Sequence, residues 1–301
     1  MQFVTIGLWR HGAEETPVAL IYVTSAKPGE GKTGVAAAIA RTLAYSGTPV
    51  RLVRLADEGS NADADAAWFG GLDFAPGSES APVSGAPADS ADATLVVEGP
   101  LGSAPAGAKV VVVSRGAKAA SSPGGTLANV VTAAKGHQAV SNLGGSPVVI
   151  QLGDDRTLSG FSAAEAKAAL NAEVLVEGDV SHDVTSDHLV IAPIGSDAGQ
   201  PYFKRFDSLA VVCRFDRTDM HLAAIKSEPN VLILTGGRRP SGYLFDAAGA
   251  NGIPVLLSRT DTENTVIALE GIFDKTRFHG ERKLDRMAEL LAEGGLFEAL
   301  G

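Results

Sequence analysis

Lys32 and Thr33 close the run Ala26-Lys27-Pro28-Gly29-Glu30-Gly31-Lys32-Thr33-Gly34, and their types and spacing suit phosphate chemistry. Glycines let backbone N–H groups converge on phosphate oxygens, a lysine after them neutralises the terminal phosphates, and the next hydroxyl can ligate Mg²⁺. Ala26 stands where the general pattern has its first glycine. A metal-bound phosphate also needs carboxylates nearby. Glu98 follows Leu95-Val96-Val97 and Asp57 follows Leu52-Val53-Arg54-Leu55-Ala56. Both sit where a strand ends, the edge at which open α/β sheets hold ligands, so both are candidates for Mg²⁺ or its water. A third constellation lies far downstream: Asp216-Arg217 after one apolar run, and Thr235-Gly236-Gly237-Arg238-Arg239-Pro240 after another. A carboxylate–guanidinium pair can fix a loop or a subunit contact, and the glycine turn could receive an anion at its N–H groups. The same residues also read as a structural turn with solvated arginines. The six histidines, His11, His137, His182, His188, His221 and His279, show no metal-ligand spacing.

These groups need elements to position them. The apolar run from Val18 to Val23 is continuous, as in a strand buried on both faces of a parallel sheet. After Thr33, apolar residues recur at Val35, Ile39 and Leu43, a helical spacing that Gly47 can stop. Further strands are predicted over residues 49–55, within 92–100, and over 109–114 and 146–151, with a helix over 126–134. Five strands with helical crossovers make a doubly wound parallel sheet. Residues 3–8 could add a strand, and residues 70–91, rich in Gly, Ala, Ser and Pro, read as a mobile loop. The second half is a smaller α/β unit. Ser162 with Glu165 forms a capping box opening a helix over 162–170. Apolar strands follow at 173–179, 189–194, 208–213, 230–237 and 253–258, with helices over 218–227, 241–250 and 262–271. The tail, 281–300, is a final amphipathic helix carrying Leu284, Met287, Leu290 and Leu291.

A chain of 301 residues with 45% hydrophobic composition is comfortable for two domains and can bury a full core. Its net charge of −10 supplies no basic footprint for nucleic acid or anionic membrane, so phosphate must be held by a local site. The single cysteine, Cys213, forms no intramolecular disulfide, fits a reducing compartment and reads as a buried strand thiol. No apolar run approaches the roughly 20 residues that span a bilayer, and Trp9-Arg10-His11-Gly12 interrupts any secretory pattern. A cytoplasmic protein is expected.

Lys27-Pro28-Gly29-Glu30-Gly31-Lys32-Thr33 resembles the deviant phosphate loop of the plasmid-partition and Min-type ATPases. In that group an extra lysine reaches nucleotide phosphate across a dimer interface. Lys27 matches it, and Pro28 departs from the group's glycine. Phe215-Asp216-Arg217-Thr218-Asp219, Leu232-Ile233-Leu234-Thr235-Gly236-Gly237-Arg238-Arg239-Pro240, Asn251-Gly252-Ile253-Pro254-Val255 and Thr260-Asp261-Thr262 resemble the DRTGG domain. That domain follows a dethiobiotin-synthetase-like P-loop domain in the N-terminal part of long phosphate acetyltransferases and in stand-alone relatives. Glu98-Gly99 then corresponds to the synthetase-like Glu-Gly, Asp155-Arg156-Thr157-Leu158 to the junction, and Pro201-Tyr202-Phe203 to an aromatic step.

The resemblance implies a P-loop NTPase domain over residues 1–158, a DRTGG domain over 159–275 and a C-terminal helix over 276–301. It implies ATP and Mg²⁺ as cofactors and a homodimer, with Lys27, Lys32 and Glu98 at the reacting end. Gly29, Glu30, Gly31 and Gly34 complete the phosphate cradle. Gln151 stands where dethiobiotin synthetase has the Asn that contacts adenine. The acetyl-transfer domain is not among these residues, so acetyl transfer is not carried over, although a protein partner or a separate acyl-transfer enzyme fits. The function implied is an Mg-ATP-binding protein with a regulatory or dimerising DRTGG domain and slow ATPase activity. Alternatives are a carboxylate-activating ligase of dethiobiotin-synthetase or cobyrinic-acid-amidating type, and a nucleotide sensor without turnover. A bacterial tyrosine kinase would need a tyrosine cluster, whereas Tyr22, Tyr45, Tyr202 and Tyr243 are scattered.

Overall fold

The computed structural model describes residues 20–55, 62–74, 93–116, 123–135, 139–178, 183–192 and 201–301. Asp57, the strand expected over residues 3–8, residues 75–91 of the low-complexity run, and His11, His137 and His182 lie outside the described residues. The chain divides into two compact units: residues 1–155 with 284–301, and residues 156–283.

In the first unit, β1 (Leu20–Ser25) is the centre of a seven-stranded sheet. Ile21 to Ser25 are all buried, which is why the run is apolar without alternation. The sheet runs β2 (Val50–Arg54), β3 (Thr94–Pro100), β1, β4 (Lys109–Arg115), β5 (Thr126–Ala134), β7 (Val148–Gly153), β6 (Val140–Asn142). All pairs are parallel except β6 with β7. After β1 the chain passes to β2 and β3 on one side; after β4 it moves to the other. The carboxyl end of β1 is therefore at the point where the winding reverses, the place such sheets form a ligand crevice.

Helix α1 (Lys32–Tyr45) packs residues Val35 to Ala40 fully away from solvent. Four alanines in that stretch let it approach the sheet closely. Its end at Ser46 is closed by Gly47, whose φ of 89° belongs to the left-handed region. A second helix, α2 (Ala62–Gly70), follows β2.

Residues 126–134, expected as a helix, form β5. Its β-branched Thr126, Val130, Val131 and Thr132 favour a strand, and residues Ala128 to Thr132 are buried between neighbours on both sides. Apolar residues crowded on both faces carry no period that separates helix from strand. Among the described residues no helix lies between β4 and β7.

The tail also differs from expectation. One helix was predicted over 281–300; two form, α8 (Glu281–Glu293) and α9 (Leu296–Leu300), parted by Gly294 and by Gly295 in a left-handed conformation. Leu284, Met287, Leu290 and Leu291 are buried as a stripe. Residues from Leu284 onward belong to the first unit. Asn142 Nδ2 donates to Gly294 O at 2.7 Å, Arg286 Nε pairs with Asp155 at 2.8 Å, and Arg41 pairs with Asp285.

The second unit is a three-layer α/β arrangement. Its five-stranded sheet runs β11 (His188–Ile191), β12 (Leu209–Arg214), β13 (Val231–Thr235), β14 (Val255–Leu257), β9 (Glu173–Val176), with only β9 antiparallel. A short antiparallel pair, β8 (Phe161–Ser162) with β10 (Thr185–Ser186), stands beside it. Successive residues feed opposite faces. Leu209, Val211, Cys213, Leu232, Leu234, Val255 and Leu257 meet α5 (Thr218–Ile225) and α6 (Tyr243–Ala250). Ala210, Val212, Val231, Ile233 and Leu256 meet α4 (Ala163–Leu170) and α7 (Thr262–Glu270). Between β7 and β8 lies the short helix α3 (Arg156–Ser159). The Ser162–Glu165 capping box at α4 forms in full, and burial pushes the Cys213 thiol up to about 12.

Gly99 illustrates how tightly the first unit is built around β1. A Cβ there would lie 2.8 Å from Tyr22 Cζ and closer still to its hydroxyl, which donates to Pro100 O at 2.9 Å. Because Tyr22 is fully buried, it has no room to retreat. Gly99→Ala is expected to cost about 1–3 kcal/mol by overpacking, read as a lower urea midpoint at unchanged slope.

Candidate functional site

The loop after β1 is shaped by its glycines. Gly29 (φ 78°) and Gly31 (φ 99°) adopt conformations that other residues rarely hold. Ser25 Oγ donates to Lys27 O at 2.8 Å, and the Lys27 amide donates to Glu30 Oε2 at 2.9 Å, which folds residues 25–30 into a compact turn. Thr132 on β5 donates its hydroxyl to Glu30 O at 2.8 Å and tethers the loop from the sheet. A Cβ on Gly31 would press on Thr132 Cγ2 at 3.2 Å.

Gly31 is the N-cap of α1 and brings no side-chain oxygen, so the first-turn N–H groups have no side-chain cap. This is the end of the helix that attracts anions. Lys32 is buried at the same turn, while Lys27 is exposed on the loop. The structure thus gathers Gly29, Glu30, Gly31, Lys32, Thr33 and Gly34 around one helix start.

Glu98 reaches this turn from β3. Thr33 Oγ1 donates to Glu98 Oε1 at 3.0 Å. Glu98 is fully buried, and Arg54, directly opposite it in the β2–β3 register, places Nε 3.4 Å from Oε1. Arg54 is itself 1% exposed and lies 3.8 Å from Asp65 on α2. Burial pushes the Glu98 carboxyl up to about 7, against the opposing pull of Arg54 and Lys32. Its second oxygen, Oε2, is buried and has no hydrogen-bond partner. An orphaned carboxylate oxygen beside a threonine hydroxyl is a hard, all-oxygen donor set, which fits Mg²⁺ supplemented by phosphate oxygens and water. Among the described residues no cluster of three or more His, Cys, Asp or Glu could hold a metal by protein ligands alone.

Gln151 stands apart from this turn. It lies on β7, opposite Val131 of β5 and Ser141 of β6, three strands from β1 in the sheet order. Arg54 and Thr132 were not singled out in the sequence, and Asp65, with Asp63, reads there as a solvated acid rather than a functional one. A lone arginine inside the apolar strand 50–54 was the available signal for Arg54, since buried charges are paired. Thr132 was hidden by the helical reading of its segment.

In the second unit the expected residues share the carboxyl edge of β12 and β13. Arg214 makes a bidentate contact with Asp216 (3.1 and 2.7 Å), and Arg217 makes one with Asp219 (3.2 and 3.2 Å). His221, fully buried, places Nε2 2.7 Å from Arg214 O, and burial lowers its pKa. The expectation that glycine amides receive an anion is corrected: Gly236 N donates to Thr260 O at 2.8 Å and Gly237 N to Ser258 O at 3.0 Å. Thr235 is buried, its hydroxyl 2.9 Å from that of Thr262. Arg238 lies over the Phe215 ring at 5.8 Å.

The family model described as the DRTGG domain matches residues 165–272, so the second unit carries a DRTGG domain. Among solved structures, the chain is similar to the CBS and DRTGG domains of the regulatory region of Clostridium perfringens pyrophosphatase, determined with the activator diadenosine tetraphosphate. The identity is 21%, the TM-score 0.33, and the match covers 41% of this chain and 51% of that one. This chain therefore spans about half the length of that structure.

The Glu98 carboxyl yields a signed pH dependence. The native state keeps a proton up to about pH 7 that the unfolded chain releases near 4.5. Stability from this group is therefore full below 4.5 and falls as pH rises to about 7, by about 3 kcal/mol, with no further loss above. In magnesium-free buffer, Glu98→Gln is expected to remove that fall, so its stability relative to wild type rises between pH 4.5 and 7 in chemical denaturation. A constant difference across the window contradicts the assignment.

Proposed function

We propose that the first unit binds Mg-ATP at residues 27–34 and that the DRTGG domain serves as its regulatory or dimerising partner. The observation that carries this reading is the Thr33–Glu98 hydrogen bond at an uncapped helix start that also holds a buried lysine. The α1 amides and Lys32 would cradle the β- and γ-phosphates. Thr33 and Glu98 would hold Mg²⁺, with Asp57 a further candidate from outside the described residues. The bound ion would neutralise phosphate charge and fix the phosphate chain.

The chain's own residues account for the rest of the site. Arg54 holds one oxygen of Glu98 and leaves the other directed away from hydrogen-bonding partners. Thr132 fixes the loop against β5, so the amides are preorganised before ligand arrives. Lys27 is exposed and its amide is anchored by Glu30, which leaves the ammonium group to serve a second copy of the chain. Gln151 would act only at the base end. Turnover is expected to be slow, because Glu98 is held by Thr33 and Arg54 and serves the metal rather than an attacking water. A cytoplasmic homodimer that binds nucleotide is the overall reading; no described helix is long and apolar enough to cross a membrane.

Calorimetric titration of Mg-ATP into wild type and Lys32→Ala tests this reading. Loss of the buried ammonium is expected to weaken binding by about 10- to 100-fold. Equal affinity in the two proteins would remove the loop from the site.

A further inference from the structure

Three loop tips meet at the carboxyl edge of the parallel strands β12, β13 and β14. The amides of Gly236 and Gly237 donate to Thr260 O and Ser258 O, so the β13 turn brackets Arg259. A Cβ on Gly237 would stand 3.3 Å from Arg259 O, and one on Gly236 would stand 2.8 Å from Phe215 Cδ1. These approaches explain why both positions are glycine, and they bring Phe215, Arg238 and Arg259 onto one surface. The guanidinium of Arg238 lies over the Phe215 ring.

Charge separates two of the arginines at this edge from the others. Arg214, Arg217 and Arg239 are matched by Asp216, Asp219 and Glu173. Arg238 and Arg259 are exposed and form no salt bridge among the described residues. Asp261, two residues beyond Arg259, caps α7, accepting from the Asn264 amide at 2.8 Å. In a chain of net charge −10, two guanidiniums without an ion-pair partner among the described residues, carried on backbones that approach closely, are suited to an anion.

Beneath them the β14 loop is rigid. Ser258 and Thr265 are buried, and their hydroxyls form a closed set with Thr260: Thr265 to Ser258 at 3.0 Å, Ser258 to Thr260 at 2.9 Å, Thr260 to Thr265 at 2.8 Å. Arg259 is therefore presented from a fixed backbone, which lowers the ordering cost of binding. The carboxyl edge of parallel strands is also where α/β sheets bind ligands.

We propose that Arg238 and Arg259 form an anion site on the DRTGG unit that takes the diphosphate group of a small phosphorylated ligand, with Phe215 as its floor. Two guanidiniums match a diphosphate better than a single phosphate, each forking onto one phosphoryl group. The site draws on none of residues 27–34 and stands whether or not that loop binds nucleotide.

The test titrates inorganic pyrophosphate and, separately, ADP into the full chain at low salt, in wild type, Lys32→Ala, Arg238→Ala/Arg259→Ala and the triple variant. Because both arginines are exposed, thermal melts should be unchanged by the pair. Pyrophosphate should bind Lys32→Ala at one site that weakens at least about tenfold in the triple variant and with added salt. Tighter binding of ADP than pyrophosphate identifies a nucleotide source, and equal binding identifies the diphosphate alone; both support the site. If the loop binds no phosphate, wild type and Arg238→Ala/Arg259→Ala show the same contrast. Equal affinity with and without the arginine pair overturns the proposal. So does an arginine-pair effect confined to dimerisation in sedimentation, with pyrophosphate binding intact.

Discussion

The hydrogen bond between Thr33 and Glu98 joins the start of α1 to the end of β3, and the first unit is arranged to keep it in place. A fully buried carboxyl is costly unless its surroundings compensate. Here Arg54 on the next strand and Lys32 on the helix supply that compensation only in part, so the group holds its proton up to about pH 7. Around this contact, β1 is central in the sheet, Gly31 permits the sharp entry into the helix, and Thr132 ties the loop down. A buried acid with one unsatisfied oxygen beside an uncapped helix start is a strained arrangement without ligand. A divalent cation bound to phosphate would relieve both features.

The DRTGG unit solves a similar geometric problem differently. Its glycine turn faces not a ligand but the next loop, giving both amides to Thr260 and Ser258. The outcome is a stiff edge on which arginines, rather than backbone N–H groups, meet solvent. His221 contributes from below, its Nε2 against Arg214 O, fixing the strand end that carries Phe215 to Arg217. The two units thus present their polar groups at strand ends, one by uncapped helix amides and a buried lysine, the other by side chains on a closed turn.

Much of this was legible in the sequence where one signal dominated. The continuous apolar run into Gly29-Glu30-Gly31-Lys32-Thr33 fixes a strand, a loop and a helix, and all three formed. Ser162 with Glu165 specifies a cap locally, and it formed. Residues 126–134 read as a helix because Leu127, Ala128, Val130, Val131, Ala133 and Ala134 put apolar side chains on every face and satisfy either period, and only the partners β4 and β7 decide. The tail helix was right in its buried stripe, but the break at Gly294 and Gly295 was not foreseen, although paired glycines are a stop signal. Arg54 could not be placed because its partner Glu98 is 44 positions away in sequence, and a register between strands is a tertiary property. The destination of the Gly236 and Gly237 amides was invisible for the same reason.

Hydrogen exchange of the full chain, with and without saturating Mg-ATP, addresses the central claim most directly. Residues 29–34 should gain protection when nucleotide binds, because the first-turn amides of α1, which have no side-chain cap, would then donate to phosphate oxygens. Nucleotide binding that leaves exchange in that segment unchanged would place the phosphate elsewhere and contradict the role assigned to the Thr33–Glu98 contact.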